Sequence, residues 1–76
     1  MSERIVVNPK ILAGKPVIEG TRIPVYLVLN LLGNGKKVEQ ILKEYPELEE
    51  EDVMAAINYA ADHMKYEEVI QLEAAS

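Results

Sequence analysis

Pro24 opens a run, Val25–Leu32, that is apolar on almost every side, and Gly33-Asn34-Gly35 closes it. Proline has a fixed φ and no N–H, so it suits the first helical position. The residues after Leu32 tolerate left-handed φ and end a helix. A helix apolar nearly all round belongs in an interior. A chain of 76 residues must therefore lay its other elements against this one helix, with room for one core. That core has no Phe or Trp and draws on Ile, Leu, Val, Met, Ala and four Tyr. It is thin, and domains this small often gain stability by association, so a homodimer is expected.

Upstream of that helix, Ile5-Val6-Val7 is a β-branched run that stops at the turn dipeptide Asn8-Pro9. Lys10–Pro16 reads as a loop, Val17-Ile18 as a second short strand, and Gly20-Thr21 as another turn. Downstream, Val38, Ile41, Leu42 and Tyr45 follow the spacing of one buried helical stripe, over about Val38–Glu44. Pro46 ends that helix, because the residue before proline avoids the α region. A third helix opens in Glu49-Glu50-Glu51-Asp52, whose carboxylates complement the positive end of a helix dipole. Val53, Ile57, Ala60, Ala61 and Met64 form its expected inward stripe. Nothing up to Leu72 breaks it, and roughly 24 residues would reach about 36 Å. The expected fold is mainly α: an N-terminal β-hairpin or strand pair, then a three-helix, helix-turn-helix-like unit. One domain, 1–76, divides into a β-rich segment (1–24), the helices (25–64) and a helical arm or tail (65–76).

Cysteine is absent, which excludes disulfides and thiolate metal sites and suits a reducing cytoplasm. The N-terminus has too few apolar residues for a signal-peptide core. No apolar run approaches the ~20 residues that span a bilayer. The net charge of −5 is unevenly spread. Residues 1–43 carry seven basic side chains against three acids, a balance of +4; residues 44–76 carry ten acids against Lys65, a balance of −9. This is either an ordinary charged surface or a basic face and an acidic face for opposite partners.

Catalytic material is scarce. His63 is the one histidine, and it reads as a polar residue near a helix end. No Ser has a recognisable base. Glu47–Asp52 lacks the alternating ligands and central Gly of a calcium loop and reads as a solvated helix start. Gly14-Lys15-Pro16 has the wrong spacing for a phosphate loop. Neither a catalytic residue, a metal site nor a cofactor is expected.

The most distinctive stretch is Gly14-Lys15-Pro16-Val17-Ile18-Glu19-Gly20-Thr21-Arg22-Ile23-Pro24-Val25. Gly14, Pro16, Gly20, Thr21 and Pro24 are structural: turns, a backbone-bonding hydroxyl, a helix start. Arg22 has three open partners: Glu19 across the turn, a phosphate, or an acid on another chain. With Gly35, Glu39-x-Ile41, Tyr45-Pro46-x-Leu48, Glu51-Asp52-Val53 and Ala55-Ala56-x-x-Tyr59-Ala60, the stretch resembles the domain-of-unknown-function 433 family over roughly residues 5–64. The resemblance implies a prokaryotic protein of the homeodomain-like helix-turn-helix group. It further implies an antitoxin-like role, restraining a small PIN-like nuclease toxin encoded alongside and binding its own operator as a dimer. Lys37 and Glu49 depart from the family, standing where Ser or Thr usually caps the second and third helices. A lost cap costs ~1 kcal/mol.

In a helix-turn-helix protein the start of the recognition helix meets base edges. Here it would offer Glu50, Glu51 and Asp52, which repel phosphates, the main source of affinity. Nucleic-acid contacts, if made, fall to Arg22, Lys36, Lys37 and Lys43. A protein partner fits the charges better, with Tyr66, Val69, Ile70 and Leu72 of the acidic arm as anchors in a groove. A transcriptional regulator and a purely structural homodimer are the alternatives.

Overall fold

In the computed structural model the described residues are 4–75, with side chains as far as Lys65. Strand β1 (Ile5–Val6) pairs antiparallel with β2 (Val17–Ile18), Ile5 opposite Ile18 and Val6 opposite Val17. Two-residue strands are not stable alone. Here β2 has a neighbour on its other side as well. The Ile18 N–H donates to the Ile23 carbonyl (3.0 Å) and the Val25 N–H to the Pro16 carbonyl (2.9 Å), bridging Val17 to Pro24. The turn between them is tied by Thr21, whose hydroxyl donates to the Ile18 carbonyl (2.8 Å) and accepts from the Ile23 N–H (3.0 Å). Gly20, at φ +81°, takes the left-handed position a side chain would resist. The Gly20–Pro24 motif is thus a clasp that returns the chain to β2 and delivers it to the first helix.

The β1–β2 connection holds an unexpected feature. Leu12–Gly14 make one 3₁₀ turn with φ of 49°, 57° and 83°, all left-handed. The Ile11 carbonyl accepts from the Gly14 N–H (3.0 Å), and the Leu12 carbonyl from the Lys15 N–H (3.2 Å). Only glycine is at ease there; a Cβ costs roughly 1–2 kcal/mol per residue in this region. The sequence suggested a plain loop, because Leu and Ala do not signal such a turn.

Helix α1 (Val25–Gly33) follows Pro24 directly, α2 spans Val38–Glu44 and α3 spans Glu50–Ala75. The expected order of a strand pair and three helices is what forms. Val25 and Val28 of α1 are buried with Ile18, Ile23, Ile41, Leu48, Val53 and Ala56. The all-round burial expected of α1 does not occur. Leu27, Leu29, Leu31 and Leu32 are half-buried, and Tyr26 is 52 % exposed. Two helices and a two-stranded sheet cannot cover its whole circumference. The α2 stripe packs as expected, with Ile41 fully buried and Val38, Leu42 and Tyr45 against the core.

The inward stripe of α3 needs correction. Val53 is fully buried, but Ile57, Ala61 and Met64 face outward, and Ala60 is half-buried. The buried face is Asp52, Val53, Ala55 and Ala56, continued by the half-buried Tyr59 and Ala60. The side chains that sit inside are the small ones, which let α1 and β1 approach the helix closely. Apolar residues occur nearly all round this part of α3, so periodicity picked the bulkier set.

Both departures at helix caps are compensated in one way. Lys37 before α2 offers no acceptor, but its N–H donates to Gln40 Oε1, 2.8 Å away, in the first turn. The Glu49 N–H likewise donates to Asp52 Oδ2 at 2.8 Å. Each is the reciprocal half of a capping box, made without the Ser or Thr half. Ala13→Gly should stabilise the fold by about 0.5–1 kcal/mol, as relief of a left-handed Cβ exceeds the added chain entropy. Ala13 is exposed, so no packing is lost. A urea midpoint at or below that of the parent would contradict the strained turn.

Candidate functional site

Asp52 is the one buried charged side chain among the described residues, at 7 % exposure. A buried carboxylate is costly unless paired and hydrogen-bonded. Arg4, just before β1, meets that need: its Nη1 lies 2.9 Å from Asp52 Oδ1 and 3.1 Å from Glu49 Oε1. The hydrogen bond to Asp52, then that to Glu49, holds the guanidinium pKa above its ordinary value. With the Glu49 N–H on its second oxygen, Asp52 fastens the chain's first strand to the start of α3. Around this clamp a hollow of about 460 Å³ also takes in Glu19 and Glu47. Four carboxylates there face one guanidinium.

A larger hollow of about 690 Å³ runs along α3 from Arg4, with Glu50, Glu51, Asn58 and Asp62 in its wall. It ends on the ring pair of Tyr59 and His63, whose centroids lie 4.3 Å apart at 48°. Beyond that pair lies a third hollow of about 310 Å³, between α1 and α3, walled by Pro16, Val25, Tyr26, Leu29 and Ala60. Tyr59 and His63 line both, so the two hollows meet along these rings. Lys15 Nζ stands 5.0 Å from the Tyr26 ring centre, within cation–π range. One continuous strip thus passes from carboxylates, over two tilted rings in contact, to an apolar recess edged by an exposed tyrosine. Such a strip suits a partner with basic residues beside an apolar anchor.

The nucleic-acid candidates are not gathered into any of these hollows. Arg22 is exposed on the turn after β2 and, among the described residues, forms no ion pair with Glu19. Lys36 Nζ donates to both oxygens of Glu44, at 3.0 Å each. Lys37 precedes α2 and Lys43 lies in its last turn, both exposed. The backbone of Tyr66, Val69, Ile70 and Leu72 is helical within α3, and their side chains lie outside the described residues. His63 is exposed and packs on Tyr59, within α3 rather than near its end, because the helix runs on to Ala75. Among the described residues no group of three or more His, Asp or Glu is placed to hold a metal ion. No helix there is long and apolar enough to cross a membrane.

Sequence reasoning missed Arg4, Tyr26 and Tyr59. Arg4 and Asp52 are 48 positions apart, and no local pattern joins them. The i, i+4 spacing of Tyr59 and His63 was a usable signal.

Residues 5–60 match the family model described as "Protein of unknown function (DUF433)". The uncharacterized protein y4eO of Sinorhizobium fredii is 41 % identical over 58 residues, 76 % of this chain and 26 % of that protein. An uncharacterized protein of Archaeoglobus fulgidus is 70 % identical over 23 residues, 30 % of this chain and 64 % of its own length. The chain thus spans about a quarter of the rhizobial relative and under two thirds of the archaeal one. The crystal structure of a DUF433 member from Anabaena variabilis superposes with a TM-score of 0.73 at 32 % identity, covering 96 % of this chain and 69 % of that one.

Asp52→Ala removes both the Arg4 contact and the reciprocal cap, whereas Glu49→Ala removes only an exposed contact. The cap alone is worth about 1 kcal/mol. Chemical denaturation should therefore show the Asp52 variant losing clearly more stability than the Glu49 variant. Equal losses would mean that the clamp does not fasten α3.

Proposed function

This chain belongs to the DUF433 family, and we propose that it is an antitoxin-like module that binds and restrains a small PIN-like nuclease. The observation that carries this reading is the strip on α3, acidic at one end and apolar beyond Tyr59 and His63. A nuclease that handles a polyanion presents basic side chains around its active site. Glu50 and Asp62 complement such a surface, and steer its approach. The recess beside Tyr26 and Tyr59 supplies the desolvated anchor that charge pairs at a rim do not.

Direct reading of DNA by α3 has less support. Glu50 and Glu51 are exposed at the helix start, where phosphates and bases would lie, and Asp52 is engaged by Arg4. Operator binding, if it occurs, falls to Arg22, Lys37 and Lys43, since Lys36 is engaged by Glu44. Those side chains suit backbone contacts rather than base readout.

The test is co-expression with the product of an adjacent nuclease gene, followed by capture and a nuclease assay. Tyr26→Ala and Asp62→Lys, both at exposed positions, should each weaken capture about tenfold or more and release nuclease activity. Lys43→Ala should change neither. Capture that survives both strip variants, or no capture by the parent chain, would refute the reading.

A further inference from the structure

α3 carries a second apolar stripe that its own domain leaves bare. Met54 is 43 % exposed, Ile57 38 % and Met64 68 %, and Ala61 is exposed between them. Single exposed apolar residues are ordinary on a protein surface. These four are not scattered. Their spacing of three, four and three residues is that of a helix–helix seam, and it keeps them within an arc of about 80°. The sheet, α1 and α2 pack elsewhere, on the face of Val53, Ala55 and Ala56.

The charges beside the stripe select its occupant. The flank turned away from the domain carries Glu51, Asn58 and Lys65, seven residues apart and all exposed. Lys65 is the one basic residue after Lys43. We propose that the chain pairs with a second copy of itself through this stripe, the two α3 helices running antiparallel.

In that arrangement Met54 faces the partner's Met64, and Ile57 faces the partner's Ala61, a large side chain opposite a small one. Glu51 then meets the partner's Lys65, and Lys65 meets the partner's Glu51. Asn58 meets the partner's Asn58 at the twofold axis. The seam is isologous, so the Glu51–Lys65 contact is made twice. A parallel pair would leave Glu51 and Lys65 with no opposite charge at their own level. On the opposite flank Val53 is buried and Ala60 is small, so nothing bulky blocks the approach. The seam takes up Glu51, Met54 and Asn58 of the α3 hollow and leaves Tyr59, Asp62 and His63 open. It goes beyond the nuclease-binding reading and does not depend on it.

The test uses the chain alone, by sedimentation equilibrium, with helicity followed by circular dichroism. The parent chain should show twice the 8.5 kDa of one copy. Ile57→Asp and Met64→Glu should each shift it towards monomer. Glu51→Lys and Lys65→Glu should each raise the dissociation constant about tenfold at low salt, since each creates two like-charge contacts. The double variant Glu51→Lys/Lys65→Glu should return to within a few-fold of the parent, because antiparallel pairing restores both opposite-charge contacts. Lys65 is exposed, so this arm is informative even where Ile57→Asp perturbs folding. A monomeric parent chain, a dimer unmoved by Met64→Glu, or failure of the double variant to recover would each overturn the proposal.

Discussion

The buried carboxylate of Asp52 sets the geometry on which the rest depends. It accepts from the Glu49 N–H on one oxygen and from Arg4 on the other, so it can be satisfied only with α3 at one rotation. That rotation turns Val53 and Ala56 towards α1 and β1 and leaves Met54 and Ile57 outside. With a Ser or Thr cap at residue 49 the helix start would hold itself. Here the cap comes from within the helix, and Arg4 supplies the opposite charge. A small core thus fixes which face of its longest helix meets the surroundings.

The same rotation decides how the charges are used. The helix order is compatible with a DNA reader, yet the start of α3 is the most acidic place in the chain. Glu49 and Asp52 are partly neutralised by Arg4, whereas Glu50 and Glu51 point outward. Lys36, one of few bases near that helix in sequence, is spent on Glu44. Phosphate affinity scales with the number of free cations at the interface, and few remain. The exposed tyrosine, the paired rings and the carboxylates instead form a surface with both apolar and acidic parts.

Elements whose causes are local were legible in the sequence. Pro24, Gly33-Asn34-Gly35 and Pro46 mark helix ends because their backbone limits act within one or two residues. The α2 stripe was read correctly because only one of its faces is apolar. On α3 the same method failed: with Val53, Met54, Ala55, Ala56, Ile57, Tyr59 and Ala60 all apolar, periodicity cannot say which face another element will choose. That choice came from Arg4, 48 positions away from Asp52. The left-handed turn at Leu12–Gly14 was hidden for a related reason, since two of its three residues do not favour the conformation the closure imposes. Of the candidate site, the acidic half could be read from composition. The aromatic half could not, because Tyr26 and Tyr59 meet only through the packing of α1 on α3.

The left-handed turn and the apolar recess are connected. Strained backbone persists only where the surroundings over-determine it. Here the chain must leave β1, reverse, and arrive at β2 in register, with Ile5 opposite Ile18. The turn delivers Lys15 and Pro16 to the rim of the recess, and places the Lys15 ammonium over Tyr26. A relaxed loop of the same length would have no reason to bring a cation there. The ammonium at the rim of this recess is therefore set by the closure of the hairpin, and it gives the recess a polarity opposite to that of the carboxylate end. A partner that fills both ends must carry its charges in a matching order, which is a stricter requirement than net charge alone.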